Sequence, residues 1–81
     1  MGNSEKEASE FNKQARAGFG TRLEGVRGEQ KLTRSQLAAA CDMHYDAILK
    51  LERGDRHPTL ATMCVIADAL GLKVTALLPE G

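Results

Sequence analysis

The sequence predicts an all-α fold of five short helices behind a polar N-terminal segment, and three observations lead there. Leu and Ala dominate the apolar residues while aromatics are confined to Phe11, Phe19 and Tyr45, a composition that suits packed helices rather than sheet. No segment alternates with period two, whereas apolar stripes recur at helical spacing. The stripes are punctuated by residues that stop helices, among them Gly54, Gly71 and Pro79. With 81 residues, 42% of them hydrophobic, the chain is expected to form one small core and no separate effector domain.

The elements follow in order. Residues 1–16 are polar and charge-mixed and read as a tail or an additional helix: Ser4-Glu5-Lys6-Glu7 has capping-box form, and Phe11, Ala15 and Phe19 share an i, i+4, i+8 face. The domain proper is expected over residues 17–81. Its first helix should run from about Gly18 to Gln30 with Phe19, Leu23 and Val26 inward. Gly20, Gly25 and Gly28 each weaken that helix by about 1 kcal/mol relative to alanine, so tertiary packing must hold it. Thr33 is placed to N-cap a second helix whose apolar positions are Leu37, Ala38 and Cys41. The stripe stops at Asp42 and resumes at Ile48 and Leu51, which puts a new axis between them. Asp42 is then the turn residue, since aspartate is among the few non-glycine residues that tolerate positive φ. His44 would cap the third helix, less well than serine.

Gly54 ends the third helix as a left-handed C-cap, and Asp55 to His57 form a loop closed by Pro58 and the N-cap Thr59. A fourth helix carries Leu60, Met63, Cys64, Ala67 and Leu70 until Gly71 stops it. Val74, Leu77 and Leu78 make a last short helix cut off by Pro79.

Eleven basic and eleven acidic residues cancel, so bulk charge gives no hint of nucleic acid. Their distribution does. Arg34, Lys50, Arg53, Arg56 and His57 fall at the start of the second helix, on the third, or in the loop after it, whereas Glu24, Glu29, Asp68 and Glu80 lie elsewhere. Asp42, Asp46 and Asp55 sit in the same stretch and oppose phosphate attraction unless they point away or read a base. Two helices of about eight residues hinged at Cys41-Asp42-Met43 make a helix-turn-helix, whose second helix can enter a DNA major groove.

Other classes fare poorly. No apolar run approaches a membrane span, the polar N-terminus lacks a signal-peptide core, and Lys6 stands where a myristoylation motif wants Ser or Thr, so a cytoplasmic protein without membrane contact is expected. Cys41, His44, His57 and Cys64 could be written as a metal site, but cysteines on apolar helix stripes read as core residues. No metal, disulfide or cofactor is expected, and no nucleophile–base constellation suggests an enzyme.

The run from Phe19-Gly20 through Arg27, Leu32-Thr33, Leu37-Ala38, Ile48, Leu51-Glu52-Arg53-Gly54, Pro58-Thr59-Leu60 and Ile66-Ala67-x-Ala69-Leu70-Gly71 to Leu77-Leu78 resembles the Cro/C1-type helix-turn-helix domain of phage repressors and xenobiotic-response-element-like bacterial regulators. Arg34 departs from the usual glutamine at the start of the second helix, Asp42 from glycine in the turn, and His44 from a small hydroxyl cap. The resemblance implies a lambda-repressor-like five-helix fold and places Tyr45, Asp46 and Lys50 at base edges. Lysine can donate to guanine, aspartate can accept from cytosine N4, and a tyrosine edge can pack on a thymine methyl. Ala47 would leave room for close approach. Leu49 is either a methyl-reading contact or a half-buried flank.

Thr33, Arg34, Arg53, Arg56 and His57 are expected to hold phosphates, Arg34 with the help of the free N–H groups of a helix N-terminus. By resemblance Arg27 and Glu52 form a structural ion pair that orients the recognition helix. The expected function is a sequence-specific double-stranded DNA-binding regulator, a repressor acting as a homodimer on a two-fold related operator. One such helix reads only a few base pairs, so specificity requires two half-sites. Val74, Ala76, Leu77 and Leu78 are the expected dimer contact, with the tail through Phe11 as the other seam. The alternative is a protein-binding co-regulator or antitoxin-type module of the same fold, which zero net charge and Asp46 favour.

Overall fold

The computed structural model describes the chain from Gly2 to Leu78, with side chains described from Glu10 onward except that of Phe11. Four α-helices and a terminal 3₁₀ turn make up the described residues: α1 Gly2–Glu29, α2 Arg34–Cys41, α3 Tyr45–Arg53, α4 Leu60–Ala69 and the turn Val74–Leu77. The fold is all-α, as the helical stripes predict. The tail seam through Phe11 and the stop at Pro79 lie outside the described side chains and residues.

The N-terminal segment and the first helix are one element. α1 passes residues 16 and 17 without interruption, and its 28 residues at about 1.5 Å each account for the 44 Å long axis of the molecule. Ser4 therefore lies within the span of the helix. α1 closes with Lys31 in a left-handed conformation at φ 58°, a position no glycine or asparagine marked.

α1 is crossed by α3 at Gly20, where a Cβ would run into the carbonyl oxygens of Leu51 and Glu52. That close approach explains one of the three glycines that weaken α1. A Cβ at Gly25 or Gly28 would meet open space. Phe19 and Leu23 of α1, Leu37 and Ala38 of α2, Ile48 and Leu51 of α3, Ile66 and Leu70 of α4 and Leu77 of the last turn close into a single core.

Side chains of α1 also reach the carbonyls that helix ends and turns leave unpaired. Arg16 Nε donates to the Gly54 carbonyl at 3.2 Å, Arg22 Nε to Ala76 at 2.8 Å, Arg27 Nη1 to Leu32 at 2.8 Å and Gln30 Nε2 to Leu70 at 2.8 Å.

Two readings of helix faces change. On α4 the buried residues are Ile66 and Ala67, continued by the cap Leu70, while Leu60 is 68% exposed and Cys64 lies outside. Nearly every position from Leu60 to Ala67 is apolar, so periodicity had no contrast from which to choose the inward face. Leu77, expected in a dimer seam, is fully buried in its own chain's core, with Val74 and Ala76 half-buried above it.

Candidate nucleic-acid interface

The helix-turn-helix is built by local chemistry. The Thr33 hydroxyl accepts from the Gln36 amide at 3.0 Å while the Gln36 side chain accepts from the Thr33 amide at 2.8 Å, a complete capping box at the start of α2. At its end Asp42 takes φ 53° and ψ 45°, and the next amide, Met43, donates back to the Ala38 carbonyl at 2.9 Å. This reversal lets α3 leave on a new axis. His44 precedes α3 in extended conformation and makes no side-chain capping bond, and Gly54 closes α3 at φ 76°.

α3 divides cleanly into two faces. Ala47, Ile48, Leu51 and Glu52 are buried, while Tyr45, Asp46, Lys50 and Arg53 are exposed and Leu49 is half-buried between them. At about 100° per residue the outward set, Leu49 included, covers an arc of about 140°. Ala47 faces the domain, so it does not supply the open approach expected of it. On the outer arc Lys50 Nζ lies 3.2 Å from Asp46 Oδ2, an i, i+4 pair with both side chains more than half exposed. Such a pair is weak and is readily exchanged for other partners. Arg56 and His57 are exposed in the loop beyond.

Beneath this surface lies a charged cluster joining three helices. The Glu52 carboxylate is wholly buried and takes two bonds from Arg27, Nε to Oε2 at 2.6 Å and Nη2 to Oε1 at 3.1 Å. It takes a third from Arg34 Nε at 2.7 Å. Arg34 Nη2 lies 3.6 Å from Glu24 Oε2 on α1. The Glu52 carboxylate, and after it the neighbouring Tyr45 phenol, hold the Arg34 guanidinium more firmly protonated than an ordinary arginine. The sequence placed Arg34 at the surface alone; the structure makes it a bridge from the first turn of α2 to α1 and α3. Its link to Glu52 carried no local signal, because a long side chain reaches partners that only the tertiary fold selects.

The remaining candidates stand apart. Cys41 is buried, which pushes its thiol up, and Cys64 is exposed on α4. No three His, Cys, Asp or Glu residues among those described gather in a way that could hold a metal ion. No helix among them is long and apolar enough to cross a membrane.

A helix-turn-helix family profile matches residues 23–77, a span that runs from α1 to the terminal turn. The chain belongs to the Cro/C1-type helix-turn-helix family. Members of this family are DNA-binding transcriptional regulators. The chain is 36% identical over 61 residues to an immunity repressor protein of Bacillus phage phi105, a match covering 75% of this chain and 42% of that protein. It thus spans less than half the length of that relative.

Among solved structures, the restriction-modification controller protein C.AhdI from Aeromonas hydrophila superposes with a TM-score of 0.76 at 27% identity, covering 78% of this chain and 96% of the controller. The hydroxypropylphosphonic acid epoxidase of S. wedmorenis contains the same helical arrangement, with a TM-score of 0.77 and 29% identity over 83% of this chain. The likeness covers 36% of that enzyme.

Proposed function

We propose that this helix-turn-helix chain is a sequence-specific double-stranded DNA-binding repressor that reads a two-fold related operator as a homodimer. The observation that carries this reading is the division of α3: one face is locked to α1 and α2, and the opposite arc presents Tyr45, Asp46, Lys50 and Arg53 to solvent. In the groove Lys50 and Asp46 exchange their mutual pair for base edges, and Tyr45 packs or bonds at the N-terminal end of the helix. Thr33, Arg53, Arg56 and His57 hold phosphates on either side, and Arg34 does so with the N–H groups its bond to Glu52 leaves over. Leu49, half-buried, serves as a flank.

The likeness to a phage immunity repressor and to a restriction-modification controller supports the regulatory role. Leu78, 40% exposed just past the terminal turn, and the half-buried Val74 and Ala76 within it are the apolar residues there available to a second copy.

The test is a binding titration on duplex from the region upstream of the chain's own gene, with random-sequence duplex as competitor. Preferential binding that falls steeply with salt is expected, and Lys50→Ala is expected to relax the sequence preference. Equal binding to both duplexes would instead favour a protein-binding role for the same face, a reading to which zero net charge and the Asp46–Lys50 pair lend weight.

A further inference from the structure

Glu52 needs one cation to balance its buried charge and has two. Arg27 is the permanent partner: it binds both carboxylate oxygens, its side chain is 14% exposed, and its remaining Nη1 is fixed on the Leu32 carbonyl. Arg34 is the surplus cation. It gives Glu52 a single bond through Nε, its side chain is 31% exposed, and Nη2 is turned to Glu24 at 3.6 Å, beyond hydrogen-bond length. Glu24 is 58% exposed at its side chain and has no structural duty comparable to that of Glu52.

We propose that Glu24, on α1, sets how strongly the helix-turn-helix grips a DNA phosphate by competing with that phosphate for the Nη side of Arg34. The inference rests on the DNA-binding reading above. Its logic is geometric: the Nε bond to buried Glu52 fixes where the guanidinium stands, so an arriving anion displaces the loose surface carboxylate and leaves the buried pair intact. The anchored guanidinium is thus held ready at the first turn of α2, beside Tyr45, with an acidic residue occupying the place of the phosphate. The groups facing Arg34 are Glu24 and Arg27 from α1 and Tyr45 and Glu52 from α3. Of the two acids only Glu24 can yield without stranding a charge in the core. Glu24 is a positioning residue, since it acts on DNA through Arg34.

The test is a double-mutant cycle on binding to a fluorescein-labelled random-sequence duplex at low salt, using the full chain. Glu24→Gln is expected to bind about fivefold tighter, the upper end of what an exposed ion pair contributes. Its log-affinity should fall with log salt at an unchanged slope, since the phosphate reaches Arg34 in both proteins and no contact is added. In the Arg34→Gln background the same substitution should leave the affinity unchanged. Urea unfolding midpoints of all four proteins establish that each is folded, and Arg34→Lys, which keeps a charge beside Glu52 but offers no second nitrogen to Glu24 or a phosphate, takes the place of Arg34→Gln if the latter is not. An equal gain with and without Arg34, or no gain at all, overturns the inference while the DNA reading stands. Failure of the unsubstituted chain to bind any duplex overturns both.

Discussion

Removing Glu52 by Glu52→Ala leaves two guanidinium groups facing one another with no anion between them. The carboxylate is fully buried and accepts three charge-assisted bonds, so its loss strands Arg27, whose side chain is 14% exposed and cannot simply turn to water. Breaking a buried pair from one side costs about 3–5 kcal/mol. The lower end, about 3 kcal/mol, applies here because Arg27 keeps its bond to the Leu32 carbonyl and Arg34 can relax toward Glu24. A domain of 81 residues has about 4–12 kcal/mol of total stability, so the loss is a large fraction of the whole. It corresponds to a fall in Tm of about 12–24 °C.

Urea titration followed by far-UV circular dichroism measures the effect. Arg27→Ala should fall between the wild type and Glu52→Ala, because Glu52 would retain Arg34. Loss of DNA binding by Glu52→Ala should be at least as large as its unfolded fraction, since Arg34 also loses the bond that places it. A midpoint for Glu52→Ala indistinguishable from that of the unsubstituted chain would refute the view that this cluster fixes α3 to the domain.

The glycines of α1 separate by packing: Gly20→Ala must push α3 away and should cost about 1–3 kcal/mol, whereas Gly25→Ala and Gly28→Ala meet open space and should each raise stability by up to about 1 kcal/mol in the same urea titration. His44→Ser supplies the missing cap of α3 and should add about 0.5–1 kcal/mol, read as a higher unfolding midpoint at unchanged slope. A thiol reagent at mildly alkaline pH should modify one cysteine quickly, identified as Cys64 by peptide mass. Cys41, buried and with its thiol pushed up so that less thiolate exists at a given pH, should react only at the rate of unfolding.

Local chemistry made most of the boundaries legible. Thr33, Asp42, Gly54 and Thr59 each stand where a cap or a left-handed residue is required, and such requirements act within a few residues of sequence. The division of α3 was legible for the same reason, since Ile48 and Leu51 stand out against charged neighbours. α4 was not, because its apolar residues surround the helix and only packing against α2 and the terminal turn selects Ile66 over Leu60. Arg34 is the corresponding case in the candidate site: its place at the head of α2 was readable, its bond to Glu52 eighteen residues away was not.

The bonds that α1 sends to the backbone of other elements bear on where this domain can be cut. A fragment beginning at Leu23, the first residue of the family match, would retain every residue of α2, α3 and α4. It would lack the Arg16 donor to the carbonyl that ends α3, the Arg22 donor to the terminal turn and the Phe19 side chain of the core. The segment that recognises DNA in the proposed function would then hang from a frame missing its upper fastenings. For anyone shortening, fusing or grafting this unit, its mechanical beginning lies at or before Arg16.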